Sequence, residues 1–477
     1  MKRTEKWEYD YTRGIKPWSA RPFVPFPRDI GYPYICRIIP SENSVFIEWL
    51  GKNDGECVYE VFFRKLDGEE DFALFCRTEK LSCEVTELLV DTDYEFFVKC
   101  DEGQSLTRIA RCGASIGTPV CYLHPKDSAY SYSGKYLGSP SLLRHPDGYL
   151  LALMDIFAYP ATFAVALLYR SDDNGESWNF VCEICPCFWP KLFMHKGDVY
   201  VIGCSCEYGD LLIGRSRDGG MTFDSPTLLM KGPGGAEHKP GTHLHAQPIY
   251  RYKGRIYATL EWGCWFNQKE RGYCFEAMVM SCSENDDLLD SENWTISTPR
   301  RFEPFAPELE GMPDTTMTIE GCLVESPSGE LLNVMRFDKH HRALAYKVNT
   351  KEPSAALEYS HLLEFSAHFC KFTIKFDEVS GYYYSVGTVV YDEKKKYARN
   401  LMSLLRSKDL DHWETVCDLH DRRDADMNDI GFQYADFIFD GDDLIYLCRT
   451  AINGANNYHD SNYITFHRIK DFREIGK

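Results

Sequence analysis

Two histidines stand two residues apart in the segment GTHLHAQP, at His243 and His245. Alternate side chains of an extended strand point to the same face, so the two imidazoles are expected side by side. Such a pair can bind a metal ion, act as acid and base, or hydrogen-bond a sugar. The neighbouring sequence offers no third metal ligand. We therefore expect active-site hydrogen bonding, led by His245, or a structural role, and no metal site.

A second polar group lies near the end of the chain, in the segment NNYHDSNYITFHRI. It contains His459, Asp460, Asn462 and His467, a density of polar residues that an ordinary strand does not need. The group follows the last predicted repeat. It is therefore expected either to face a binding site, with His459 contacting substrate, or to hydrogen-bond the two ends of the fold together.

Two further residues have both a functional and a structural interpretation. Asp314, in GMPDTT, is predicted in a loop within reach of a substrate, although a solvated turn explains it equally well. Trp262, in EWGCWF, could form a platform on which a sugar stacks, whereas packing in the interior is the commoner role of tryptophan.

The stretch SDDNGESW, residues 171–178, combines aspartates, an asparagine, a glycine and a tryptophan. It lacks the further ligands and the closing glutamate of a helix-loop-helix calcium site. Related stretches recur as SRDGGMTF at 216–223 and SKDLDHW at 407–413. The pattern predicts a turn in which aspartate accepts backbone N–H groups, glycine takes a positive φ and the aromatic residue packs beneath.

Composition limits the classes of partner. The chain has 477 residues, 14% aromatic residues and a formal net charge of −19. Such a length favours more than one domain, and the aromatic content favours β-structure and surfaces that bind carbohydrate. No segment offers the basic stripe that a nucleic acid requires. An oligosaccharide or glycoconjugate is the expected partner, and the oligomeric state is left open.

Localisation is inferred from the termini and the cysteines. The N-terminal stretch MKRTEKWEYDYTRG has no apolar core typical of a secretory signal, and no apolar run is long enough to span a membrane. The 19 cysteines are scattered singly, as is typical of small buried residues in a reducing compartment. Cys182, Cys185 and Cys187 lack the second pair of a zinc site. We expect a cytoplasmic protein.

Residues 31–120, after an N-terminal extension at 1–30, contain short alternating strands at a spacing typical of a β-sandwich. An early tryptophan, Trp49, and a late tyrosine, Tyr94, are expected in its core. The stretch LLVDTDYEFFVKC resembles the tyrosine corner of fibronectin type III domains. The resemblance implies a docking or supporting domain without chemistry of its own.

The remaining residues, 121–477, repeat a unit of two apolar strands joined by a tight turn. Six units can be placed, of which the first is SLLRHPDGYLLALMD and the last DFIFDGDDLIYLCRT. Meanders of this size cannot bury both faces alone, which predicts closure into a propeller. The expected fold is all-β, a six-bladed propeller behind a sandwich. A seventh blade stays open because the sequence around EYSHLLEF is poorly marked.

The aspartate turns resemble the Asp-box, SxDxGxxW, of the sialidase superfamily, also called the BNR repeat. Stretches such as SPSLLRHPDG and GFQYADFIFDGDD are similar to those of bacterial sialidase-like propeller proteins. The resemblance implies a glycosidase of carbohydrate metabolism with three active-site residues. Tyr434 would be the nucleophile, Glu320 would accept its proton and Arg336 would bind the substrate carboxylate. No cofactor is implied.

The chain also departs from the sialidase pattern. Gly138 and Ser139 stand where sialidases carry the arginine before the first inner strand. The third arginine of the usual triad is not evident, and His368 and Lys371 occupy that region instead. Asp155, in LMDIF, is the residue placed to serve as general acid.

The sequence therefore predicts an exo-acting glycoside hydrolase that cleaves a terminal, acidic sugar. One alternative is a uronate-directed lyase in which Arg336 and Lys371 neutralise the carboxylate and Tyr434 or His245 removes the proton. Another alternative is a propeller that binds carbohydrate without catalysis.

Overall fold

The computed structural model describes residues 18–22, 30–51, 57–158, 164–233, 239–264, 275–304, 306–313 and 316–476. These residues form an all-β protein, as predicted. The helices in these ranges are short 3₁₀ helices at Ser291–Asn293, Pro307–Leu309, Glu393–Lys395 and Phe472–Glu474. None of them has the length or apolar character that a membrane crossing requires.

The N-terminal strands form two facing sheets. Strand β1, Ser19–Ala20, lies outside these two sheets, and the strands within them are β2 Tyr34–Pro40, β3 Val45–Leu50, β4 Tyr59–Lys65, β5 Ala73–Thr78, β6 Ser82–Val85, β7 Asp93–Cys100, β8 Gly103–Gln104 and β9 Arg108–Arg111. One sheet has the order β2-β3-β6, and the other has the order β5-β4-β7-β8 with β9 on β7. Trp49 and Tyr94 are buried in one core, and the Leu89 N–H donates to Tyr94 Oη at 3.0 Å.

The rest of the described chain forms six antiparallel sheets. Their strands are β10 Thr118–Tyr122, β11 Tyr136–Leu137, β12 Ser141–Arg144, β13 Leu150–Phe157, β14 Ala166–Ser171, β15 Asn179–Ile184, β16 Phe188–His195, β17 Asp198–Cys204, β18 Leu211–Ser216, β19 Thr227–Met230, β20 Gly241–His243, β21 Tyr250–Tyr252, β22 Arg255–Gly263, β23 Phe275–Ser283, β24 Trp294–Ile296, β25 Thr318–Glu325, β26 Leu331–Lys339, β27 Arg342–Lys347, β28 Glu358–Glu364, β29 Thr373–Asp377, β30 Tyr382–Thr388, β31 Leu401–Ser407, β32 Glu414–Asp421, β33 Gly431–Asp440, β34 Asp443–Ala451 and β35 Tyr463–Ile469.

We number these sheets in chain order. Sheet 1 contains β11–β15 with β1 at its edge, sheet 2 contains β16–β19, and sheet 3 contains β20–β24. Sheet 4 contains β25–β28, sheet 5 contains β29–β32, and sheet 6 contains β33–β35 with β10 at its edge. The poorly marked stretch EYSHLLEF includes β28, the fourth strand of sheet 4, so it does not begin a separate sheet.

The packing order of the sheets is cyclic. Strand β12 packs on β16, β22 on β25, β25 on β29, and β33 on both β29 and β12. Sheets 2 and 3 share an apolar core that includes Ile202 and Ile256. Strand β10, which precedes sheet 1, pairs with the last strand β35, so that Thr118 faces Phe466. The start of the repeat region is therefore hydrogen-bonded to its end.

Several of the predicted site residues lie at one end of the strands of their sheets. In an antiparallel hairpin the start of the first strand and the end of the second strand lie side by side. His243 thus pairs with Glu261, Ile319 with Arg336 and Gln433 with Arg449. Because the sheets repeat this arrangement around the ring, polar residues far apart in sequence meet at one face.

The aspartate turns have the predicted hydrogen bonds. Asp173 Oδ1 accepts the Ser177 N–H at 2.9 Å and the Ser171 hydroxyl at 2.8 Å, and Gly175 has φ +94°. Trp178 is buried beneath this turn. In the third copy, which has no glycine, Leu410 adopts the positive φ of +73°.

Among the residues that the structure describes, the cysteines form no disulfide bond with one another. Cys182, Cys185 and Cys187 are buried among apolar residues, as expected for small core residues. These three cysteines form no metal-ligand group.

Replacing Trp178 by Ala tests how much the turns contribute to stability. The Trp178 ring lies 5.7 Å from the Phe466 ring of sheet 6, so the change leaves a cavity where sheets 1 and 6 meet. We expect a loss of about 3–5 kcal/mol in the free energy of unfolding, measured by urea denaturation. The control, Trp413→Ala, changes a half-buried tryptophan of the third copy and should cost roughly half as much. Equal losses would contradict the prediction.

Candidate active site

Glu320 and Tyr434 lie where the first strands of sheets 4 and 6 are interrupted. Both residues have φ +58°, in the left-handed region. The strand register shifts between Ile319 and Cys322 and again between Gln433 and Asp436. Bulges of this kind redirect a side chain, and a left-handed non-glycine residue costs about 1–3 kcal/mol. The two sheets thus share one local distortion that turns both side chains toward the same place.

The two side chains meet directly. Tyr434 Oη donates a short hydrogen bond to Glu320 Oε1, and Arg336 Nη1 donates to Glu320 Oε2 at 2.8 Å. Glu320 is 3% exposed and Arg336 is 8% exposed, so both charges are largely shielded from solvent. The structure therefore brings together the three residues that the sequence predicted as nucleophile, base and carboxylate ligand.

This contact fixes the resting protonation state. Burial alone would raise the pKa of Glu320, but the Arg336 guanidinium and the Tyr434 hydroxyl outweigh it and lower the pKa to about 2. Burial, reinforced by the Glu320 charge, raises the pKa of Tyr434. At neutral pH the site contains an ionised Glu320 and a protonated Tyr434.

A second arginine, Arg449, borders the same tyrosine. Its guanidinium carbon lies 4.7 Å from the Tyr434 ring centroid, and its Nη2 donates to the His459 carbonyl at 2.6 Å. Within the described part of the chain, the buried Nε atoms of Arg336 and Arg449 have no hydrogen-bond partner. Arg449 was not predicted from the sequence, although it occupies the same place near the end of a second strand as Arg336.

Asp155, predicted as general acid, is fully buried. Its Oδ2 accepts the Trp189 N–H at 2.9 Å, and the Ser139 hydroxyl also lies close enough to favour its charged form. Burial raises its pKa to about 6 against the opposing effect of the hydrogen bond from Trp189. A Cβ atom at Gly138 would lie 2.7 Å from Asp155 Oδ1, so any larger residue there would require the Asp155 side chain to shift.

Glu207 is a further buried carboxylate near the site, and it was not predicted from the sequence as a functional residue. It lies in the loop after β17, at the same edge of the ring as the residues above, and is 6% exposed. Burial raises its pKa to about 7, with a smaller opposing effect of the Tyr208 hydrogen bond. Tyr136 lies between this carboxylate and the site, close enough to Glu207, Asp155 and Arg449 for their charges to affect the pKa of its hydroxyl.

The C-terminal polar group divides between two roles. The His459 ring lies 5.7 Å from the Tyr136 ring, and its Nδ1 is 3.0 Å from Asp460 Oδ1. Asn462 instead links the start and the end of the repeat region, since its backbone carbonyl accepts the Leu123 N–H at 2.9 Å. His467 stacks on Tyr446, 4.7 Å away. His459 therefore borders the site, and Asn462 helps to close the ring.

His243 and His245 face a third residue, Glu261. His243 Nδ1 and His245 Nδ1 lie 2.7 Å and 3.1 Å from Glu261 Oε2. Burial opposes a proton on His245, but the Glu261 charge outweighs it and raises the pKa. Burial alone would raise the pKa of Glu261, but the charges and hydrogen bonds of His245 and His243 outweigh it and lower the pKa to about 2. The hairpin register that pairs His243 with Glu261 was the signal that could have identified this partner.

The residues predicted in place of the third arginine lie on two sides of the site. Lys371 is buried, and its Nζ donates to the Ala435 carbonyl at 3.2 Å. Burial lowers its pKa to about 8, against the opposing charge of Asp436. His368 Nδ1 donates to the Phe337 carbonyl at 2.8 Å, and His368 borders a cavity of about 780 Å³ that Arg336 also lines.

Two predicted residues stand apart from this geometry. Trp262 alternates with Glu261 on β22 and so faces the other side of the sheet, where it packs half-buried against the core shared by sheets 2 and 3. Asp314 lies outside the described residues.

Comparisons with known proteins identify related folds. No family model matches the chain, and no curated protein matches it. An α-L-arabinanase of Penicillium chrysogenum matches with a TM-score of 0.50 and 15% identity, over 76% of this chain and 100% of that chain. An α-L-arabinofuranosidase of Fusarium graminearum matches with a TM-score of 0.50 and 12% identity, over 76% and 100%. A Trypanosoma rangeli sialidase has a TM-score of 0.48 and 12% identity, over 76% and 58%. At these identities the first two matches show the fold alone, an all-β, propeller-like architecture.

Glu320→Gln should reveal the buried ion pair through the pH dependence of stability. A carboxylate whose pKa falls from 4.5 to about 2 on folding stabilises the protein above pH 4.5 and loses this contribution as the pH falls toward 2. The shift corresponds to about 3 kcal/mol. The difference in unfolding free energy between wild type and variant should therefore be largest near neutral pH and shrink between pH 4.5 and pH 2, measured by urea denaturation.

The control is Glu378→Gln, at an exposed glutamate. Its difference from wild type should stay small and nearly constant over the same pH range. A constant difference for Glu320→Gln as well would contradict the assignment of the ion pair.

Proposed function

We propose that this protein is an exo-acting glycoside hydrolase that removes a terminal, acidic sugar from an oligosaccharide or glycoconjugate. The six sheets would be the blades of a sialidase-like propeller, and the two N-terminal sheets a fibronectin type III-like sandwich. One observation carries the proposal: the Tyr434 hydroxyl donates to a Glu320 carboxylate that Arg336 also holds.

Tyr434 is the proposed nucleophile. A phenol attacks an anomeric carbon poorly unless a neighbouring base takes its proton. Glu320 Oε1 already accepts that proton in a hydrogen bond, so attack and proton transfer can proceed together. Sialidases are the glycosidases that use a tyrosine nucleophile, and a covalent intermediate on the enzyme gives retention at the anomeric carbon.

An anionic substrate would activate this pair. With a pKa of about 2, Glu320 is a weak base while Arg336 holds it. A substrate carboxylate that takes hydrogen bonds from Arg336 would draw the guanidinium away from Glu320 and so raise the basicity of Glu320. This coupling favours an acidic sugar over a neutral one, because only the anion competes for the arginine.

Arg336 and Arg449 are the proposed ligands of the substrate carboxylate. Both guanidinium groups lie close to Tyr434, and both side chains keep a small exposed fraction. Guanidinium groups bind carboxylates through two parallel hydrogen bonds. Lys371, whose Nζ donates to the Ala435 carbonyl, would act at longer range through its charge.

A carboxylic acid must protonate the leaving oxygen. Asp155 was predicted for this role, and its pKa of about 6 is suitable, but it is fully buried. Glu207 keeps some exposure and has a pKa of about 7. We assign the general acid to Glu207 and a supporting role to Asp155, which holds the Trp189 backbone.

The proposed location is the cytoplasm. The free thiols of the described cysteines fit a reducing compartment, in which disulfides are rare.

Tyr434→Phe tests the nucleophile. The variant keeps the ring and loses only the attacking oxygen, so kcat/KM should fall by at least about 10²–10⁴-fold. Tyr446→Phe is the matched control, because Tyr446 lies on β34 of the same sheet as Tyr434. The Tyr446 hydroxyl contacts His420 Nε2 at 2.9 Å, and its removal should leave turnover near wild type. Turnover of Tyr434→Phe within threefold of wild type would contradict the nucleophile assignment.

The reaction class is tested with a panel of sialylated, uronate-bearing and neutral oligosaccharides. Released reducing sugar and the ultraviolet absorbance of an unsaturated uronate are followed together, and proton NMR records the first anomer formed. The proposal predicts reducing sugar without absorbance, from an acidic substrate, with retention. Absorbance would favour the lyase instead. Binding without turnover would favour a non-catalytic propeller.

A further inference from the structure

The ring nitrogens of two histidines and a carboxylate oxygen of Glu261 converge on one point beside the proposed nucleophile site. The reactive atoms of His243, His245 and Glu261 all lie within 4.8 Å of one another. Two ligands at about 2.1 Å from a zinc ion are about 3.0 Å apart at a right angle and about 3.4 Å apart at a tetrahedral angle. The His245 Nδ1–Glu261 Oε2 separation, 3.1 Å, lies in this range, whereas the His243 Nδ1–Glu261 Oε2 separation, 2.7 Å, is shorter and is that of a direct hydrogen bond, which would lengthen around an ion.

The orientation of His245 supports a shared ligand rather than a simple hydrogen bond. Its Nε2 is 3.1 Å from both the Gly321 carbonyl and Thr259 Oγ1. Thr259 itself donates to the Gly321 carbonyl at 2.9 Å, so both oxygens present lone pairs and Nε2 must carry a hydrogen. The buried Nδ1 faces Glu261 Oε2 at 3.1 Å, so its ring orientation leaves Nδ1 as the atom that would bind an ion. A histidine that binds a metal ion typically donates its other N–H to a carbonyl in this way.

Burial makes an unbalanced charge costly here. His245 is 2% exposed, and Glu261 has no exposed surface. The aromatic rings of Trp189 and Phe275 lie 4.5 Å and 4.8 Å from the His243 ring. An ionised carboxylate in such surroundings requires a cation.

We infer that His243, His245 and Glu261 bind one divalent transition-metal ion, with zinc the best match to the ligand set. Two imidazoles and one carboxylate are a common zinc-binding set, and the arrangement leaves at least one coordination position open. The ion would replace any proton on His245 and balance the charge of Glu261. His243 ends β20, Glu261 lies on β22, and His245 follows the end of β20 by two residues.

The site has a structural consequence for the neighbouring sheet. Glu261 Oε1 accepts the Gly321 N–H at 3.3 Å, while His245 and Thr259 donate to the Gly321 carbonyl. The N–H and the carbonyl of Gly321, the residue that follows the left-handed Glu320, are thus both hydrogen-bonded by residues of the metal group. The ion would hold the bulge that orients Glu320, and its binding does not depend on the proposed function.

Metal content tests this inference directly. Protein treated with a chelator and then dialysed against Zn²⁺ should contain one equivalent of zinc per chain by elemental analysis. Adding Zn²⁺ back to the chelated protein should raise the melting temperature by roughly 2 °C or more. Cobalt substitution should give the visible absorption bands of a nitrogen- and oxygen-ligated ion.

Variants identify the ligands. Glu261→Gln, His243→Ala and His245→Ala should each weaken zinc binding by at least about tenfold, and Thr259→Val, which removes a hydrogen-bond partner of His245, should weaken it less than the ligand changes. His412→Ala is the matched control, because His412 and Asp409 form an exposed histidine–carboxylate pair with an Nδ1–Oδ2 distance of 2.8 Å. It should retain the full equivalent. Folding of each variant is checked by circular dichroism.

Several outcomes would overturn the inference. Wild-type protein that binds no zinc, cobalt or manganese above the level of Glu261→Gln would show that the group is a histidine–carboxylate ion pair. If a ligand variant fails to fold, chelation and reloading of wild type decide the matter alone. Tyr434→Phe should bind a full equivalent of zinc without turnover, so failure of the metal site and failure of the proposed hydrolase remain distinguishable.

Discussion

The buried charge of Glu320 imposes the strongest constraint on this structure. An ionised carboxylate away from water must be met by donors, and Glu320 receives them from Arg336 on its own hairpin and Tyr434 two sheets further on. Both first strands bulge at this point, and both Glu320 and Tyr434 take a left-handed backbone. The strain stays in place because the surrounding sheets are closed on one another.

The same principle recurs at other buried carboxylates. Asp436 Oδ2 lies 2.5 Å from Lys191 Nζ of sheet 2 and accepts the Leu142 N–H of sheet 1 at 2.7 Å. Glu261 is met by two histidines. Although the protein has a net charge of −19, basic side chains such as Lys191 and Arg336 are buried beside these carboxylates. Lys191 joins two different sheets through Asp436. Removing one partner of such a pair typically costs about 3–5 kcal/mol, because the other charge stays buried.

These links explain how a repeated fold can carry a single site. Four of the sheets bring the end of one strand to the same face, and each fills that place differently: Asp155 on β13, Glu261 on β22, Arg336 on β26 and Arg449 on β34. The fold supplies the positions, and the residue types at those positions supply the chemistry. A site built in this way depends on the closure of the ring through β10 and β35.

The sequence by itself determined the elements and much of the chemistry. Alternating apolar residues and tight turns predicted strands, and the aspartate turns followed from local hydrogen bonding, which acts within a few residues. A resemblance pointed to Glu320, Arg336 and Tyr434, and the structure brings them into contact. Only the tertiary structure decided which other residues join them. Glu261 and Arg449 were missed because their partners come from the register of a hairpin or from another sheet. Burial likewise decided the protonation of Glu207 and Asp155, since desolvation depends on atoms that packing alone brings together.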